Sequence, residues 1–130
     1  MTEKTSKKSQ TVRLEDSEMW QLAKVITAAV RTTVKNVPYQ EFYVFASPAI
    51  QTAVTMTSDI AHAAGKADED TSTDYRYARG RLFTLKSLLI MANELGFVEN
   101  TKGVLSDIEK LHKLLEKELT QLDKQEEARA

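Results

Sequence analysis

Residues 104–122, VLSDIEKLHKLLEKELTQL, decide the fold class because their apolar residues recur every three or four positions. An α-helix turns about 100° per residue, so this period places the apolar side chains on one face. The segment therefore predicts an amphipathic helix that buries this face against other elements. Its expected core stripe consists of Val104, Ile108, Leu111, Leu115 and Leu122.

A first helix is indicated near the other end of the chain. Either Asp16 or Ser17 is suited to cap it, and an apolar stripe with the same period follows. The helix is expected to run to about Asn36, because Pro38 lacks a backbone N–H and restricts the residue before it.

Two further helices fill the middle of the chain. The second is predicted over about residues 40–64, with a kink or restart at Pro48 and an end at Gly65. The third follows a polar loop, takes its cap from residues 70–73 and continues to Glu94. No strand alternation and no internal repeat is visible.

Four helices with short connections predict an all-α fold, an antiparallel up-down-up-down four-helix bundle. We expect the bundle to cover residues 17–123. Residues 1–16, rich in Lys, Ser and Thr, are interpreted as a flexible arm, and residues 124–130 as a tail that frays.

The amino-acid composition excludes several kinds of site and a membrane-spanning segment. The 130 residues carry a net charge of −1 and contain no cysteine, which excludes disulfides, zinc-thiolate sites and cysteine nucleophiles. No apolar run approaches the roughly 20 residues of a membrane span. These features predict a cytoplasmic protein that has no membrane partner.

Both histidines follow an acidic residue at helical spacing. Asp59 precedes His62 by three positions, and Glu109 precedes His112 by three. Acid-x-x-His pairs on two helices hold the metals of di-iron bundle proteins, but both members of each pair must then point inward. On the helical wheel His62 and Glu109 point outward, so we predict no metal, no cofactor and no catalytic residues.

Basic residues cluster around the predicted third helix and form the candidate nucleic-acid surface. Contacts to phosphate would be sequence-tolerant and salt-dependent. The competing interpretation pairs these cations with the acidic loop at 68–74 or with the fourth helix of a neighbouring subunit. The candidate residues are Lys66, Arg76, Arg79, Arg81 and Lys86.

The second helix is almost uncharged, which is unusual for the outer side of a monomeric bundle. Its surface offers small residues such as Thr52 and Thr55, and the third helix adds a second stripe with Phe83 and Ile90. We expect these four residues to lie in a subunit interface of a homo-oligomer. The alternative is that small polar and scattered apolar residues simply face solvent.

Short motifs along residues 16–122 resemble one known family. They include Trp20, Val37-Pro38, Tyr43, Ile60-Ala61, Gly65-Lys66, the helix-three residues Gly80, Leu82 and Leu85, and the ending Leu95-Gly96-Phe97. In this arrangement the chain is similar to the bacterial four-helix bundle proteins of the rRNA intervening-sequence type. That family includes the accessory variability protein of diversity-generating retroelements.

The resemblance implies a four-helix protomer that forms a ring-like pentamer. In the retroelement member a basic surface engages RNA and a reverse transcriptase, so RNA or DNA and a reverse transcriptase become candidate partners. The chain departs from the family pattern at His62, Arg81 and Thr84, and its second helix lacks the arginines of many relatives.

Two function classes follow from these features. The first is a non-catalytic, oligomeric accessory protein that binds nucleic acid, with a reverse transcriptase as a candidate partner. The second is a protein-interaction scaffold of the four-helix bundle type that does not bind nucleic acid. An enzyme is not predicted, because no polar constellation converges and no nucleophile–base spacing is present.

Overall fold

The computed structural model describes residues 13–66 and 70–129. Within these ranges the chain forms four long helices and no strand, which confirms the all-α prediction and is consistent with a four-helix bundle. The four helices are α1 (Glu18–Thr33), α2 (Ser47–Lys66), α3 (Ser72–Glu94) and α4 (Lys102–Arg129). Helix α1 packs on α2 and α4, and α3 packs on the same two helices.

The start of α1 follows the capping rule. Ser17 is the N-cap, and its hydroxyl oxygen accepts a hydrogen bond of 3.1 Å from the backbone N–H of Trp20. The α-helix ends at Thr33, about one turn before the predicted Asn36. Turn hydrogen bonds then carry the chain to the residue before Pro38, where the lost N–H stops further helical bonding.

Helical structure between α1 and α2 begins where the sequence predicted it, but it takes three forms. Tyr39–Glu41 is a 3₁₀ turn, Phe42–Ala46 is a π-helical turn, and α2 begins only at Ser47. The backbone N–H of Ser47 bonds to the carbonyl of Phe42, five residues earlier. Pro48 has no N–H for the preceding turn, which accounts for this wider turn next to it.

The second connection leaves residues 67–69 outside the described part of the chain. Gly65, predicted to end α2, lies within its last turn. Helix α3 begins at Ser72, whose N–H donates to a carboxylate oxygen of Asp70 at 3.0 Å. Gly96 follows α3 with φ of 82°, a left-handed conformation that favours glycine and ends the helix as expected.

The two chain ends differ from the sequence interpretation in detail. The predicted arm at residues 1–16 lies outside the described residues as far as residue 12, and its last part forms a 3₁₀ turn at Leu14–Asp16. Helix α4 starts two residues before Val104 and continues through residues 124–129, which the sequence assigned to the frayed tail. The side chains of that segment are exposed.

The core forms where the apolar stripes meet. In α4 Leu119 is buried, whereas the predicted Leu122 is half-buried. The apolar stripe of α2 is buried completely and consists of Ala49, Ala53, Met56, Ile60 and Ala63. Burial of each large side chain contributes about 1.5–3 kcal/mol. The largest fully buried side chains are Ile26, Val30, Met56, Ile60, Leu82, Leu85, Leu89, Ile108, Leu111 and Leu115.

Threonines fix the contact between α1 and α2. The hydroxyls of Thr27 and Thr57 lie 3.0 Å apart, and each is 2.9 Å from the carbonyl four residues earlier in its own helix. Each hydroxyl also lies 3.3 Å from a carbonyl of the opposite helix, at Ala53 and Ala23. Small side chains on both helices permit this close approach.

Across residues 13–66 and 70–129, none of the helices combines the length and apolar character needed to cross a membrane.

Candidate interaction surfaces

Three of the five predicted phosphate-binding cations lie where α3 faces α4. Arg76 reaches Asp123 at 2.9 Å, and Arg79 reaches Glu116 at 3.0 Å. Lys86 pairs with Glu109 and thereby lowers the pKa of that carboxyl. The expected alternative pairing with a fourth helix therefore occurs within one chain, and it places three ion pairs along the α3/α4 surface.

Arg81 lies on the flank of α3 that faces α2. Its Nε is 2.6 Å from a carboxylate oxygen of Asp59 on α2, and that carboxylate is largely buried. The guanidinium also lies 5.7 Å from the ring of Tyr77. The charged hydrogen bond to Asp59 links α2 to α3, and the cation–π interaction with Tyr77 lies within α3.

Lys66 belongs to a cluster that joins the end of α2 to the start of α3. Its Nζ is 2.9 Å from one oxygen of Asp74, and Nδ1 of His62 is 3.0 Å from the other. Burial raises the pKa of the Asp74 carboxyl, but the lysine and the histidine outweigh this effect and hold the pKa below its usual value. The acidic loop residues Asp68 and Glu69 lie outside the described residues.

In neither acid-x-x-His pair do the acid and the histidine form an ion pair with each other. Asp59 binds Arg81 while His62 binds Asp74. On α4 the ring of His112 packs 5.0 Å from Phe83, and its Nε2 is 3.2 Å from Glu116. Across residues 13–66 and 70–129, no three histidine or acidic side chains converge as a metal site would require.

The four predicted interface residues fall on different faces. Thr55 is exposed on α2, whereas Thr52 is half-buried. Phe83 is 54% exposed and contacts His112, so it belongs to the α3/α4 side. Ile90 lies seven residues further along α3 and therefore shares that face.

One exposed apolar cluster was not predicted from the sequence as an interaction surface. The aromatic segment, residues 39–44, exposes 83% of Tyr39, 74% of Tyr43 and 56% of Val44. The rings of Phe42 and Tyr43 pack edge to face, 5.2 Å apart. The sequence assigned these residues to a regular helix, so the irregular turns that turn them outward were not foreseen.

Three cations on α1 and in the turn just after it were also not predicted as a surface. Lys24, Arg31 and Lys35 are exposed, and within the described chain none of them forms an ion pair. Lys24 and Arg31 are seven residues apart and so lie on one side of α1, and Lys35 follows in the turn after the helix. That spacing is visible in the sequence, but the sequence alone does not show that these cations lack carboxylate partners.

Comparison with family models and with curated proteins identifies no relative. No family model matches the chain, and no curated protein matches its sequence.

Proposed function

We propose that the protein is a non-catalytic protein-interaction scaffold. Its protomer is an antiparallel up-down-up-down bundle in this proposal, and the order of the ion pairs supports that topology. Residue numbers rise along α3 from Arg76 to Lys86, while those of their partners fall along α4 from Asp123 to Glu109. The charged clusters of the described residues serve as links between helices, which agrees with a structural role.

The exposed aromatic segment is the observation that carries this proposal. Single apolar side chains on a surface are normal, whereas a contiguous group marks a site of interaction. Tyr39, Phe42, Tyr43 and Val44 form such a group within six residues. Aromatic side chains supply much of the binding energy of protein interfaces, so a protein partner fits this surface well.

We further propose a closed homo-oligomer, with the pentamer and the cytoplasmic location as predictions. The family resemblance and the uncharged outer side of α2 support assembly. Thr55 on that side is exposed and remains, with Thr52, Phe83 and Ile90, a predicted interface residue.

Light scattering tests the assembly directly. The purified chain should have a mass several times 14.6 kDa. Thr55→Glu and Tyr43→Glu should each lower that mass, because an unpaired carboxylate is costly in an interface. Thr120→Glu introduces the same charge on the highly charged α4 and should leave the mass unchanged. A single-chain mass at micromolar concentration would refute the oligomer.

A nucleic-acid-binding accessory role, with a reverse transcriptase as partner, is the second candidate. Arg76, Arg79 and Lys86 lie along one surface of α3, beside the exposed ring of Phe83. Phosphates would have to displace the carboxylates that now pair with these cations. Surface ion pairs are worth only about 0–1 kcal/mol, so a polyanion is able to do this.

RNA titration and gel filtration of one variant decide this second role. With Arg76→Glu and Arg79→Glu combined, an accessory protein should lose salt-sensitive RNA binding and keep its oligomeric mass. If the unmodified protein has no affinity for RNA at low salt, the accessory role is excluded and the scaffold remains.

A further inference from the structure

The groove between α1 and α2 is open and has an apolar floor. Its cations have no carboxylate partner in the described chain, whereas Arg76, Arg79 and Lys86 on the α3/α4 surface are paired with acids. One part has a volume of about 660 Å³ and is lined by Ala28, Ile50 and Val54, with Lys24 and Arg31 at the edge. A second part of about 410 Å³ continues past Arg31 and Ile50 to Lys35.

The electrostatics of the groove are one-sided. Between Lys24 and Ser58 the sequence contains three cations and a single acid, Glu41, which gives a net charge of 3 − 1 = +2. Lys24 and Arg31 belong to α1, and Lys35 lies in the turn just after it. The α2 side contributes Ile50, Val54 and hydroxyl groups, with no charge between residues 47 and 58.

We propose that this groove binds an amphipathic helix with an acidic flank, supplied by a partner protein. The proposal rests on the scaffold function and specifies the chemistry of the partner. Apolar side chains at every third or fourth position of the bound helix would pack over Ala28, Ile50 and Val54. Carboxylates on one flank would face the cations of α1.

The spacing of the cations matches such a helix. Lys24 and Arg31, both on α1, are seven residues and about 10.5 Å apart at 1.5 Å per residue. A second helix in the groove repeats the same rise, so carboxylates seven residues apart meet these two cations in register. The exposed side chain of Val54, 49% accessible, lies where the apolar face would cover it.

Charge complementarity and the apolar floor together favour a helix over nucleic acid. A phosphate backbone would bind the cations of α1, but it has no apolar groups to pack against Ile50 and Val54. Covering these side chains with a charged strand would therefore add no hydrophobic stabilisation. An acidic amphipathic helix uses both sides of the groove.

Fluorescence anisotropy with a labelled designed peptide tests the inference. The peptide carries leucine on one helical face, glutamate along one flank and alanine elsewhere, and a matched peptide has lysine in place of glutamate. The acidic peptide should bind the full chain, more weakly as salt rises, and the basic peptide should not. Equal binding of both peptides, or none of the acidic peptide at low salt, would overturn the proposal.

Variants then assign the binding to the groove. Combining Lys24→Glu with Arg31→Glu should weaken binding about tenfold or more, and Val54→Glu should do the same. The matched control combines Lys117→Glu with Lys124→Glu, two exposed cations seven residues apart on α4, and should leave binding unchanged. Unchanged helical circular dichroism shows that each variant is folded. An equal loss in the control variant would contradict binding at this groove.

Two other occupants give distinct results. If RNA binds, and the Lys24 and Arg31 variant loses it while Val54→Glu keeps it, the groove is a nucleic-acid site and the proposal is wrong. If the same charge variant lowers the mass by light scattering, a second copy occupies the groove and the proposal is again wrong. Failure of peptide binding with an oligomeric mass retained removes the groove proposal and leaves the scaffold function.

Discussion

Replacing Asp74 by asparagine removes the charge at the centre of the cluster that joins α2 and α3. The Asp74 side chain is only 10% exposed, and its oxygens lie 2.9 Å from Nζ of Lys66 and 3.0 Å from Nδ1 of His62. Asparagine has nearly the same shape. Its amide can still accept from His62, but it then directs an N–H₂ donor at the ammonium group of Lys66.

The expected loss of stability follows from those two changes. A hydrogen bond to a charged group contributes about 1.5–3 kcal/mol, and a buried donor left without an acceptor costs about 1–3 kcal/mol. We therefore expect Asp74→Asn to lower the free energy of unfolding by about 3 kcal/mol at neutral pH. For a domain of this size that loss lowers the Tm by about 10 °C.

The same loss should disappear in acid. The folded protein holds the pKa of Asp74 below its ordinary value of 3.8. The stabilisation by this carboxylate is therefore complete above pH 3.8 and is lost as the pH falls through the lower pKa of the folded state. Below that point the unmodified chain and Asp74→Asn should have similar stabilities.

Urea unfolding followed by circular dichroism, at neutral pH and in acid, measures both effects. Asp123→Asn is the matched control, because that carboxylate pairs with Arg76 but is 53% exposed. The control should cost about 0–1 kcal/mol. If Asp74→Asn costs no more than the control, or if its cost is the same in acid, the buried ion pairs of Asp74 do not stabilise the fold as reasoned here.

Three further measurements probe other parts of the fold. Thr27→Val and Thr57→Val should each lower the free energy of unfolding in urea by about 1 kcal/mol. The double variant should lose less than the sum of the two, because the hydroxyls share hydrogen bonds, and strict additivity would contradict this sharing. Gly96→Ala should cost about 1 kcal/mol because its φ is 82°, while Gly80→Ala, in a helix with open space at the Cβ position, should stabilise slightly. Burial raises the pKa of Tyr75 from its ordinary value of 10.0 to about 12. The contribution of this buried tyrosine to stability is therefore fully present below pH 10.0 and is lost as the pH rises through about 12. Absorbance titration should show this late tyrosine, and Tyr75→Phe should remove it.

The sequence by itself determined the four helices and the faces that they bury. The predicted apolar stripes of α2 and α3 are buried, and that of α1 is buried except for the half-buried Trp20, because a period of 3–4 residues fixes the buried face whatever lies opposite. Local chemistry likewise fixed the cap at Ser17 and the stop at Gly96. The predicted interface, nucleic-acid and partner assignments remain predictions.

Only the tertiary structure decided which charged residues meet. Within helices, Asp59 is three residues from His62, yet it pairs with Arg81, because that guanidinium lies across the α2/α3 contact. Such partners depend on the register between helices, which is set by packing and by contacts such as that of Thr27 with Thr57. The same register joins the cations of α3 to acids of α4. It leaves Lys24 and Arg31 of α1 without a carboxylate partner in the described chain, because residues 47–58 of α2 contain no acid.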